Sequence, residues 1–173
     1  MAAPASSNVV GIHTVQRASS ATARPLTGVF EILAEQHRHA LELLRRAGST
    51  ANPAKRRQHW AEARRHLISH ERAEEHVVYS MLESRADAQS MLDQHGDQAV
   101  ELELTIAELE ALDIDSDEWF ARLEDVMDMV AEHVREEEGD FFPRAQRLLG
   151  ENLARELEHP YASAQREVLQ SLA

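Results

Sequence analysis

Cysteine is absent from this 173-residue chain, which excludes disulfides, thiolate nucleophiles and Cys-ligated zinc or iron–sulfur centres. Glycine and proline are scarce, 6 and 5, and fall mostly between periodic segments, so the chain reads as helical throughout. No apolar run approaches the roughly 18 residues needed to cross a bilayer, and no membrane association is expected. Cationic residues are also in short supply, 18 Lys and Arg against 31 Asp and Glu, for a net charge of −13. Nucleic acid is therefore excluded as a partner, because nothing here would neutralise its phosphates. Residues 1–25 lack the long apolar core of a secretory signal, and a cytoplasmic location is the expectation. Against these absences stands one excess, 10 histidines.

Hydrophobic spacing divides the chain. Residues 1–25, rich in Ala, Ser and Thr with no sustained period, are expected to be a disordered tail. Residues 26–149 carry four amphipathic helical patterns joined by short loops, which predicts an all-α, antiparallel up-down four-helix bundle. The first helix is placed from an N-cap at Thr27 to about Ala47, with Gly48 as its C-cap. A second runs from Pro53 to about Glu83 with Trp60, Ala63, Leu67, His70, Glu74, Val77 or Val78, and Met81 inward. The third spans about Ala88 to Leu112, and Asp115 with Glu118 forms a capping box before the fourth. That helix runs to about Leu149 and is expected to kink at Pro143. Residues 150–173 form an extra C-terminal helical segment, weakly amphipathic and broken near Pro160, packing across the bundle.

Two stretches share one pattern. His70 is followed at i+4 by Glu74, and His133 at i+4 by Glu137; on a helix each pair lies on one face, one turn apart. His37 and His95 precede the pairs on the first and third helices, giving the order H, HxxxE, H, HxxxE. Four imidazoles and two carboxylates in an apolar bundle are costly unless something satisfies them. A pair of cations does so, and neutral imidazoles with carboxylates suit Fe, Cu, Ni or Zn. Two six-coordinate ions offer about 12 positions; the six side chains and a bridging solvent leave vacancies for a small ligand. Glu71 points about a quarter-turn from His70 and is at best an occasional ligand, Glu138 is a fallback, and His66 is expected to support the site by hydrogen bonding. His13, His39, His59, His76 and His159 are read as solvated, and Tyr79, Phe141, Phe142, Met81, Met91 and Met127 as ordinary core.

On those residues the chain resembles the hemerythrin-like (HHE) cation-binding family over about residues 27–149. The resemblance implies two non-haem iron ions with an oxo or hydroxo bridge, His37 and His70 on one, His95 and His133 on the other, and Glu74 and Glu137 bridging. Oxygen-carrying members have a fifth histidine where this chain has Ala99, and a last carboxylate at the position of Glu138. The symmetric pattern is more similar to bacterial hemerythrin-like proteins. It implies small ligands, H2O2, O2 and NO, with catalase-like peroxide disproportionation as the first activity to test and gas or iron sensing as the alternative.

Overall fold

The computed structural model describes residues 24–172. The expectation of a disordered tail, and His13, lie outside them but for Arg24 and Pro25. The elements are α1 (Val29–Ser49), α2 (Pro53–Glu74), a first π-helical turn (Glu75–Tyr79), α3 (Ser80–Leu82), α4 (Gln89–Glu110), α5 (Asp117–Glu136), a second π-helical turn (Glu137–Phe141), α6 (Phe142–Leu149), α7 (Glu151–Glu156) and α8 (Glu158–Ser171). Through the π turns, α2 continues into α3 and α5 into α6. The result is four rods, α1, α2–α3, α4 and α5–α6, with no strand among the described residues. The fold is the all-α bundle that the spacing predicts. No helix of the described residues is long and apolar enough to cross a membrane.

Each rod buries a stripe at three- and four-residue spacing, as in Trp119, Leu123, Val126, Val130 and His133 of α5. Such a stripe turns one helical face inward and leaves the charged faces to water. The apolar residues form two clusters. One contains Phe30, Leu33, Val78, Leu82, Phe141 and Phe142; the other contains Leu44, Trp60, Leu102, Ile106, Trp119 and Leu123. His37 lies between Leu33 of the first and Ala40 of the second, and His70 between Ala73 and Leu67, so the polar layer is sandwiched between two dry ones. Burying one Leu or Phe side chain contributes roughly 1.5–3 kcal/mol, which is how the clusters offset the cost of the polar layer.

The helix ends differ from the sequence expectation in particulars. Gly28, not Thr27, caps α1, at φ 62°; a Cβ there would lie 2.3 Å from the carbonyl oxygen of Ala154, so only glycine allows α7 to pass this close. Thr27 instead donates its N–H to Gln146 Oε1 at 2.7 Å. Helix α1 runs through Gly48 to Ser49, and its C-cap is Thr50. Ser116 caps α5, accepting from the Trp119 N–H at 3.1 Å, while Asp115 pairs with Arg56. Pro143 does not interrupt the fourth rod; it sits in the first turn of α6, directly after the second π turn, where its missing N–H is least felt. The C-terminal segment breaks at Leu157 rather than Pro160, and α8 runs on through Ser171. It lies along α2 and also reaches α1 and the first π turn.

Candidate metal centre

Glu137 is the hub. It is 0% exposed, and its carboxylate lies 3.0 Å from His37 Nε2, 3.2 Å from His133 Nε2 and 3.9 Å from His95 Nδ1. Tyr79 donates its hydroxyl to Glu137 Oε1 at 3.4 Å. Glu74, 1% exposed, lies 3.5 Å from His70 Nε2. All six sequence-predicted residues are buried, and five of them bring their donor atoms together here. Their donor atoms fall into two groups, His37–His133–Glu137 and His70–Glu74–Glu137, with Glu137 common to both. This differs from the allotment the resemblance implies, and His95 stands outside both groups, its ring packed 4.5 Å from that of Phe141.

The π turns put the aromatic residues here. Tyr79 follows His70 by nine positions, about half a turn out of phase on an ideal α-helix. The extra residue of a π turn moves it back by roughly 100°, toward Glu137. The same slip turns Met81 outward, 40% exposed, and buries Leu82 in its place. The second π turn sets Phe142 in a stack on His37, ring centroids 5.5 Å apart. Nothing in the hydrophobic spacing announces a π turn, although both follow an HxxxE pair.

Three supporting residues escaped or only partly met the sequence reading. Glu71 is buried, and its Oε1 is 3.0 Å from His133 Nε2; counted from His70 it points away, yet the flexible side chain reaches the helix opposite. Glu138, at the exposed rim, accepts from His37 Nδ1 at 3.0 Å. Gln36 accepts from His70 Nδ1 at 3.1 Å. His66 meets the Gln36 backbone carbonyl at 3.0 Å. His39, His76 and His159 are exposed, and His59 is half-buried.

These bonds fix tautomers. With Nδ1–H of His70 directed at Gln36 and Nδ1–H of His37 at Glu138, the two Nε2 lone pairs face each other at 3.1 Å. Only a proton or a cation between them satisfies both. Burial, with the charges of Glu137 and Glu71, pushes Glu74 well above the ordinary carboxylate range. Burial also raises Glu137, but the His133 charge and the close imidazoles of His133 and His37 outweigh it and hold the group low. Burial lowers His133, yet Glu137 and Glu71 keep it well above the usual imidazole range. His70 is pushed well down by burial and by His37. Both oxygens of Glu74, Glu137 Oε2, His95 Nδ1 and His133 Nε2 are buried without a hydrogen-bond partner. An imidazole–carboxylate set with converging orphaned donors fits a borderline divalent or trivalent cation, which would displace the stored protons as it binds.

Access runs along α4. A cavity of about 140 Å3 lined by Gln98, Leu102, Met129 and His133 reaches the centre. An open groove beside Glu71, Gly96 and Ala99, about 440 Å3, and another beside His95 and Phe141, about 260 Å3, flank the same helix. A hollow of about 530 Å3 between α1, α2 and α8 is lined by His39, Arg65 and His66 and by none of the six candidate donors.

The family model described as "Hemerythrin HHE cation binding domain" matches residues 28–145. The comparisons with curated proteins and with solved structures find no match. The chain belongs to the hemerythrin HHE family, a metal-binding family, and the match covers all six predicted donors but ends before α8.

Proposed function

We propose that this hemerythrin-family chain holds two non-haem iron ions and disproportionates hydrogen peroxide, two H2O2 giving two H2O and one O2. His37, His133 and Glu137 would hold one ion and His70, Glu74 and Glu137 the other, with His95 as a further donor from α4. The observation that carries this reading is the sharing of one fully buried carboxylate by two three-donor groups, which leaves each ion with fewer protein donors than an iron takes. The irons, when bound, supply the electron transfer that oxidises one peroxide and reduces the next.

The chain's own groups supply selection and protons. The 140 Å3 cavity at His133 is smaller than the roughly 300–1,000 Å3 of sites for organic ligands, so the centre takes a molecule of a few atoms. Disproportionation releases two protons from one peroxide and returns two to the other. A local proton store therefore suffices. Glu71 touches both His133 and the outer groove and can carry a proton between them, while Tyr79 holds one against Glu137.

The test is oxygen evolution from peroxide by the iron-loaded full chain, compared with His37→Ala and Glu137→Ala. Evolution that both substitutions abolish is the expected result; none above that of free iron rejects peroxide as substrate. A second reading, O2, NO or iron sensing without turnover, is favoured by the hydrogen bonds that tie His70 to α8. A spectrum that changes on gas addition, with no oxygen evolved from peroxide, would select it.

A further inference from the structure

Helix α8 lies beyond the matched domain, yet it inserts a tyrosine into the centre's wall. Tyr161 is 0% exposed. Its hydroxyl donates to Gln36 Oε1 at 2.7 Å, and its oxygen lies 3.3 Å from His70 Nδ1. One turn on, Gln165 donates to the same Gln36 Oε1 at 2.8 Å and accepts from Gln36 Nε2 at 3.0 Å. The Gln36 amide is thus held by two residues of α8, and its carbonyl, with the Tyr161 oxygen, takes the Nδ1 proton of His70. Phenol, amide and imidazole form one connected set around Gln36 Oε1.

We infer that Tyr161 is a positioning residue for His70, so that the C-terminal helix, and not the family domain alone, completes one half of the metal centre. The inference rests on the metal reading above. A ring nitrogen opposite a metal bond is commonly fixed by a partner of this kind, and loss of that partner weakens metal binding by 10–100-fold. Here the partner itself is held from α8, which packs chiefly along α2, the helix that carries His70. The His37–His133–Glu137 group gets no hydrogen bond from α8, and its His37 is oriented by Glu138 instead. Loosening α8 should therefore release one ion and spare the other.

Tyr161→Phe keeps the ring and removes the hydroxyl. Stepwise removal of iron from the full chain by a chelator should show one equivalent, the same one that Glu74→Gln abolishes, held about tenfold less tightly, with the other unchanged. Ring-nitrogen NMR of chelator-treated protein should show His70 wholly as the Nδ1–H tautomer in the wild type and mixed in the variant. Gln165→Ala, which touches no candidate donor, should repeat both effects at smaller size. Unchanged affinity and an unchanged His70 tautomer in Tyr161→Phe and in Gln36→Leu overturn the inference. So does an equal weakening of both ions with a matching fall in melting temperature after chelation, which marks a packing defect. A wild type that takes up no iron rejects the metal reading instead, and the tautomer measurement then decides the role of Tyr161 by itself.

Discussion

His70 and His95 come from opposite halves of the repeated pattern, and their surroundings differ. His70 has Nδ1 3.1 Å from Gln36, Tyr161 behind it and α1 and α8 packed along its helix. His95 has an unpartnered Nδ1, 3.9 Å from Glu137, and is held by the rings of Phe141 and Tyr79. Its helix α4 lines the cavity at His133 and the two grooves beside it and leaves Val100 and Leu104 each 62% exposed. Hydrogen bonds fix direction and ring contacts fix only position. One flank is therefore a preset jaw, and the other can shift when a cation or small ligand arrives.

The contrast collapses entirely in one variant. Glu137 belongs to both donor groups, so Glu137→Ala should remove both irons, while Glu74→Ala should remove one. Metal analysis of the purified chains measures this directly. Equal losses in the two variants would mean that the carboxylates are interchangeable and the hub does not exist. Next in size, His70→Ala should weaken iron binding more than the roughly 100-fold seen for loss of a supporting partner. His95→Ala should cost only about tenfold, because its imidazole starts outside both groups. Chelator competition that ranks His95→Ala as the worse variant would reverse the assignment of preset and movable flank.

The same contrast marks where residue spacing was informative. HxxxE on two rods, preceded by a histidine on each of the others, picked out the five residues whose donor atoms converge and His95 beside them, because a four-residue step on a helix leaves little freedom of direction. Glu71 was hidden because its backbone phase is wrong and its three side-chain torsions are what bring it to His133. Met81 was placed inward where the π turn buries Leu82 instead, and such a turn leaves no mark in composition. Tyr161 was missed for another reason. It follows Pro160 in a segment of weak periodicity, where proline reads as a break, but in the first turn of α8 it begins the helix instead.

If α4 is the movable flank, its amide protons should exchange through openings about 1 kcal/mol or more below those of α2 in the chelator-treated chain. Iron should narrow the difference, since an ion bound only to the closed form stabilises it by mass action. Exchange in α4 as slow as in α2 before iron is added would remove the mechanical half of the comparison. The exposed Val100 and Leu104 make α4 the place to look. Tyr161→Phe should then speed exchange in α8 and leave α4 alone.

The smallest expected effect concerns the seam between the flanks. Arg72 of α2 holds Glu103 of α4 through two hydrogen bonds, 2.8 and 2.9 Å, and Arg64 holds Glu110 lower down at 2.7 Å. The Arg72 hydrogen bonds depress Glu103 below the ordinary carboxylate range against a weaker push from burial. A depressed carboxylate adds stability that is complete above its unfolded pKa and disappears as pH falls through the folded one. The contribution is therefore present at pH 7 and is lost below about pH 4. Both side chains are largely solvated, so Glu103→Gln should cost only about 0.2–1 kcal/mol at low salt and less at 1 M, where the screening length is about 3 Å. Urea midpoints of the two chains at pH 7, at low pH and at high salt measure it. A difference that survives acid and salt would come from packing and not from charge. Because Arg64–Glu110 is left intact, the loosening should also be local, faster exchange around Ala99 to Glu103 beside the Glu71 groove, and the seam would then be a gate tuned by one exposed ion pair.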